Sequence, residues 1–172
     1  MILSAAFMPH QQPVIDGFEF ASAGASIQGV FPLGDFPRLS DVLAADAGEV
    51  AWELGGVRDA QGRPSLRVRV RGTLQLRCQR CLEAMPFQVQ TDEILVLAGT
   101  LDEIHAEPAD AHGADRVVAG KEMPVRELIE DEIILALPYA PRHESCSARP
   151  SPDVEAKPSP FAGLRGLMGG KH

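Results

Sequence analysis

The stretch Leu66–Cys78, LRVRVRGTLQLRC, decides how this chain folds. Leu66, Val68, Val70, Gly72, Leu74, Leu76 and Cys78 share one parity, and Arg67, Arg69, Arg71, Thr73, Gln75 and Arg77 share the other. Successive side chains of a strand point to opposite faces, so this alternation predicts a half-buried strand, or a bent strand pair. Gly72 sits in the middle and reads as a bulge or bend. Upstream, EVAWELGGV at residues 49–57 reads as a second strand ending at the Gly55–Gly56 pair. DAQGRP between the two is a turn, which makes them an antiparallel hairpin.

Working outward, CQRCLEAMP is a tight loop, and FQVQTDEILVLAG returns as a strand with Phe87, Val89 and Thr91 on one face. Its parity breaks near Glu93, which predicts another bend. Residues 101–115 are acidic, carry His105 and His112, and read as an exposed loop; DRVVAG reads as a short strand. MPVRELIEDEIILALP is the strongest helix. Pro124 suits its first position, Pro138 stops it, and Val125, Leu128, Ile129, Ile133 and Ala136 recur at spacings of three and four. Residues 1–48 mix Gly, Pro and short apolar pieces, with one weak packing helix expected over Leu39–Ala45 before Gly48. Residues 138–160, rich in Pro, Ser and Ala, read as extended or disordered. The expectation is an α+β domain over residues 1–146, mainly antiparallel sheet with one strong and one weak helix, and a flexible C-terminal tail over 147–172.

Bulk composition narrows the function classes. The 172 residues are 45% hydrophobic, enough for a core, but only 5% aromatic, so that core must be aliphatic. A net charge of −8 argues against general affinity for nucleic acid, although a local basic face remains open. Three cysteines do not make a secreted disulfide framework. There is no run of about 18 apolar residues, and Met1–Met8 lacks the basic start of a signal peptide. Cytoplasmic residence is expected, with no membrane partner.

Several groups could carry chemistry. Residues 57–81 hold seven arginines and one acid, while residues 92–132 hold twelve acids and three basic residues, so the chain is electrically two-sided. Arg67, Arg69, Arg71 and Arg77 project from one strand face, and Arg80 follows in the loop. Such a row could grip RNA phosphates with guanidinium forks. Alternatively, it solvates the sheet or pairs with the acidic half. Without interleaved aromatics, stacking on single-stranded bases is not expected.

Cys78 and Cys81 form C-x-x-C, and His143 and Cys146 form H-x-x-C. Two such pairs can supply four N and S ligands to one tetrahedral zinc ion, closed and therefore structural. A redox pair is the rival reading, although a strand rather than a helix N-terminus carries the motif. Reduced, unliganded packing cysteines are the other. No nucleophile elbow, phosphate loop or H-E-x-x-H is present. Glu127, Glu130, Asp131 and Glu132 read as a solvated helix face, with Glu132 nearest the apolar stripe. In the tail, Phe161, Leu164, Leu167 and Met168 have the pattern of a short docking motif, for a partner or for this chain's own domain.

Three of these blocks together resemble the YceD family: CQRCLE at 78–83, EDEIILALPYAPRHESC at 130–146, and KPSPFAGLRGL at 157–167. The resemblance implies a non-enzymatic role in synthesis, processing or stability of large-subunit (23S) ribosomal RNA. It implies an rRNA precursor or a large-subunit ribosomal protein as partner, no small-molecule substrate, and no catalytic residues to carry over. Two other readings stay open: a thiol-disulfide protein using Cys78 and Cys81, and a protein-protein adaptor acting through its tail.

Overall fold

A computed structural model describes residues 12–106 and 114–147. In chain order the elements are β1 (Val14–Ile15), α1 (Gly17–Ser22), β2 (Ser26–Pro32), β3 (Leu43–Ala45), β4 (Glu49–Arg58), β5 (Pro64–Arg77) and β6 (Ala84–Ala98). There follow α2 (Leu101–Ala106), β7 (Arg116–Val118), β8 (Met123–Pro124) and α3 (Val125–Ala136). The main sheet runs β2-β4-β5-β6-β7, antiparallel except for the parallel β6–β7 pair. β3 takes up the edge of β5 beyond the end of β4, pairing Leu43 with Leu76. This is the expected α+β, mainly antiparallel architecture.

β5 is central, and the alternation read from its sequence sets the core. Leu66, Val68, Val70, Leu74 and Leu76 are 0% exposed. α1 packs on this layer at β4 and β5, and α3 at β5 and β6. The other parity faces outward and is polar. The β4–β5 hairpin forms as expected, and its turn is tied by Asp59, whose Oδ1 accepts from the Gln61 and Arg63 amides at 3.0 and 2.8 Å.

Several local expectations change. Gly72 is no bulge: pairing is unbroken from Val50↔Gly72 on one side to Gly72↔Val89 on the other. A Cβ there would lie 2.6 Å from Val50 Cγ1 and 3.1 Å from the Glu49 carbonyl, so glycine allows close approach of the strands. The Gly55–Gly56 pair does not end β4, which runs on to Arg58. Gly56 instead makes a seat for α1, since a Cβ would meet the Phe20 carbonyl at 2.3 Å. The lost parity at Glu93 is no interruption of β6, whose pairing with β5 continues unbroken through Val68↔Glu93. Glu93 simply occupies an inward parity position, and beyond it Val96 and Ala98 are buried as well as Leu95 and Leu97, so both faces of the strand end are covered.

The weak helix over Leu39–Ala45 is absent. Two 3₁₀ turns, Leu33–Asp35 and Pro37–Leu39, lead into β3 instead. Leu39 and Leu43 are both buried, so a spacing that reads as one helical face serves a turn and then a strand. Two short helices lie elsewhere. α1 is capped by Asp16, whose side chain accepts from the Glu19 amide at 3.0 Å. α2 occupies the start of the expected acidic loop, with no residue buried. α3 is as read, with Pro124 immediately before its first residue rather than at it. Phe161, Leu164, Leu167 and Met168 lie outside the described residues.

Candidate metal centre and the arginine face

The C-x-x-C loop grows from the end of β5. The Cys78 amide donates to the Glu83 carbonyl and the Leu82 amide to the Cys78 carbonyl, both at 2.9 Å, and Leu82 takes φ 65° to close the loop. A left-handed conformation at a leucine is uncommon and marks a tightly determined turn. The second pair arrives by the segment after α3. It is held alongside by the Gln79 amide donating to the Pro141 carbonyl at 2.8 Å and by Arg80 Nη1 donating to the Cys146 carbonyl at 2.9 Å.

These contacts bring Cys78, Cys81, His143 and Cys146 together with their ligand atoms all within 4.8 Å of one another. Cys78 Sγ lies 3.8 Å from Cys146 Sγ, and Cys81 Sγ lies 3.4 Å from His143 Nδ1. Tetrahedral ligation with Zn–S near 2.3 Å and Zn–N near 2.05 Å calls for S···S of about 3.8 Å and S···N of about 3.5 Å. These two distances match such a shell, and the four residues could hold a metal ion. His143 Nε2 lies 3.3 Å from the Ala84 carbonyl, and its Nδ1 faces the cluster, the arrangement in which an outer hydrogen bond orients a ligating imidazole. Cys78 is fully buried, yet its thiol is pushed down to about 5. The Cys81 amide is the largest cause, helped by the Arg80 and His143 amides, with burial opposing. The Cys146 thiol is raised, first by burial and then by hydrogen bonds with Cys78 and Cys81.

The arginine row divides into two. Arg67 grips Asp92 with both prongs, at 2.6 and 2.7 Å. Arg69 bridges Glu53 at 3.0 Å and Asp92 at 3.2 Å. The Asp92 carboxyl is held down to about 2, chiefly by Arg67. Pairing with acids, one of the two readings of this row, therefore describes its upper half. Below it, Arg71 stands opposite Ala51 and Gln90, and Arg77 opposite Ala84. Among the described residues the Arg77 guanidinium donates one long bond, 3.4 Å, to the Leu43 carbonyl.

The solvated-face reading of α3 fails at two positions. Glu130 is 2% exposed and receives the Arg38 amide at 2.8 Å and Arg38 Nε at 2.9 Å, while Asp131 takes Nη1 at 2.6 Å. Glu132 is buried against β6, and its carboxyl is raised to about 7, first by burial and then by Glu93, Asp115 and Asp131. Sequence gave no signal for Arg38, which is 92 residues from Glu130. The Ala84 and Pro141 carbonyls were equally invisible, since backbone groups leave no mark on a pattern of residue types.

A strand end that offers a Cys-x-x-Cys loop, closed by a His-x-x-Cys segment beyond the last helix, defines an α+β protein with a four-donor Cys3His cluster. A family model described as "Large ribosomal RNA subunit accumulation protein YceD" matches residues 66–168, more than half of the chain. The chain belongs to the YceD family, whose description ties it to accumulation of large-subunit ribosomal RNA. No solved structure matches it. Among the described residues no helix is long and apolar enough to cross a membrane.

Proposed function

We propose that this chain is a non-enzymatic factor of large-subunit ribosome biogenesis, acting in the cytoplasm to support synthesis, processing or stability of 23S ribosomal RNA. The supporting observation is that the family match spans both cysteine pairs and the helix between them. In this reading Cys78, Cys81, His143 and Cys146 hold one structural zinc ion. Four protein donors fill a tetrahedral shell and leave no position for a reacting water, so the ion clips the segment after α3 to the sheet. A thiol-disulfide role has less support, because the Cys78 and Cys81 pair converges with an imidazole and a third thiol.

The partner is an rRNA precursor or a large-subunit ribosomal protein. Phe161, Leu164 and Leu167 are assigned to docking on it from their spacing alone. The test is a deletion strain. Large-subunit RNA should fall relative to small-subunit RNA, and the protein should sediment with large-subunit precursors. An unchanged ratio, with the protein only at the top of the gradient, overturns the reading.

A further inference from the structure

The outer face of the sheet carries two kinds of arginine, and register explains which is which. Arg69 faces Glu53 and Asp92 directly across its two ladders, and Arg67 reaches the same Asp92 diagonally. Both charges are used inside the sheet. From Arg71 downward the outward cross-strand partners on β6 are Gln90, Gln88, Pro86 and Ala84, none of them acidic. Asp46, Glu49 and Glu83 border this strip without an ion pair to Arg71, Arg77 or Arg80 among the described residues.

We propose that Arg71, Arg77 and Arg80, with Thr73, Gln88 and Gln90 between and beside them, form a surface for the backbone of double-helical RNA. This rests on the ribosomal reading above and names the form of RNA that it would touch. All six side chains are exposed. Arg71 and Arg77 share a strand face and lie about 20 Å apart, a span of several phosphates. The strip holds guanidinium forks suited to phosphate oxygens, and hydroxyl and amide groups that can exchange hydrogen bonds with 2′-hydroxyls. It carries no aromatic side chain, so it has no platform for stacking unpaired bases. A flat polar face of this kind matches the wide, shallow minor groove of an A-form helix and reads shape rather than sequence. Arg80 is steadied by its bond to the Cys146 carbonyl, which joins the strip to the metal centre.

The upper half of the row supplies an internal control. The full-length, metal-loaded protein is titrated against a fluorescein-labelled 16-base-pair RNA duplex and against DNA of the same sequence. Wild type should bind RNA more tightly than DNA. R71Q/R77Q/R80Q should bind the RNA at least tenfold more weakly, and its log-log salt slope should shrink by about 2 to 3, as expected for three lost phosphate contacts. R67Q/R69Q should stay within twofold of wild type. Should R71Q/R77Q/R80Q lose metal or fold, R71Q/R77Q leaves the loop intact and should lose about two-thirds of the slope change. No binding by wild type, equal affinity for DNA, or equal loss in R67Q/R69Q would each overturn the proposal. So would capture of a ribosomal protein, and not RNA, by these three arginines. If wild type ignores the duplex yet restores the rRNA ratio in the deletion strain, the surface falls and the ribosomal reading stands. If the duplex is bound but the ratio never changes, the reverse holds.

Discussion

Around Val70 the chain is fixed by apolar side chains at full burial and by a ladder on each edge of β5. From Leu137 to Ser147 it has no helix or strand, and Pro141 is the only buried residue. That segment is held by backbone bonds from the Gln79 amide to the Pro141 carbonyl and from the Leu137 amide to the Ile134 carbonyl, by side-chain bonds from Arg80 and His143, and by the converging donors. The first region draws its stability from area removed from water. The second has too little apolar area to hold itself and depends on a few directed contacts. One part thus stands on packing, and the other on a few directed contacts to which the proposed ion would add coordination.

Stripping the proposed ion should separate the two most sharply. Protein purified without chelator should carry about one equivalent of zinc, and Cys78→Ser should carry less than about a tenth of that. In both stripped protein and variant, the Gln79 amide, which donates to Pro141, should lose its protection from hydrogen exchange. The Val70 amide should keep its own. Retained protection at Gln79 after complete metal removal would break the distinction.

Leu74→Ala probes the other side. Leu74 is 0% exposed beneath the sheet, so truncation should cost about 2–5 kcal/mol in denaturant unfolding. The zinc content of the folded variant should be unchanged. A metal-free but otherwise folded variant would mean that packing at the sheet centre controls the site.

The smallest effect lies in α3, which joins the regions. Glu132 has its carboxyl raised from 4.5 to about 7. Between those values the unfolded chain has released a proton that the folded chain keeps, so stability falls as pH rises through this window and the full penalty applies above 7. Glu132→Gln removes it. The variant should be more stable than wild type by roughly 1–3 kcal/mol at pH 8, and nearly equal near pH 4.5. A difference that does not vary with pH would mean that neither burial nor the nearby acids raise the Glu132 carboxyl.

What could be read from residue order alone follows from what is local. β5 and α3 were legible because their apolar periods run unbroken over many residues. The four donors were legible because close pairs at knuckle spacing are rare by chance. β2 escaped notice: it lies at the edge, with Phe31 its one buried residue, so its alternation is faint. Gly72 could be singled out but not explained, because the atom it makes room for belongs to Val50, on another strand. The division of the arginine row was invisible for the same reason. Asp92 is 25 residues from Arg67, and only register shows that it serves both Arg67 and Arg69.

The separation of 62 positions from Cys81 to His143 also sets a clock. Synthesis at about 5–20 residues per second leaves an interval of roughly 3–12 s between the emergence of the two halves of the site. During it the nascent chain shows a bare dithiol on a hairpin loop, open to exchange with any soft cation. Only when α3 has been made and docked do the imidazole and third thiol arrive. A chain interrupted before His143 keeps its pair of sulfurs without their partners, whereas in the folded protein Cys78 is buried and Cys81 half-buried beside His143 and Cys146, so coordination would mark the newly made protein as complete.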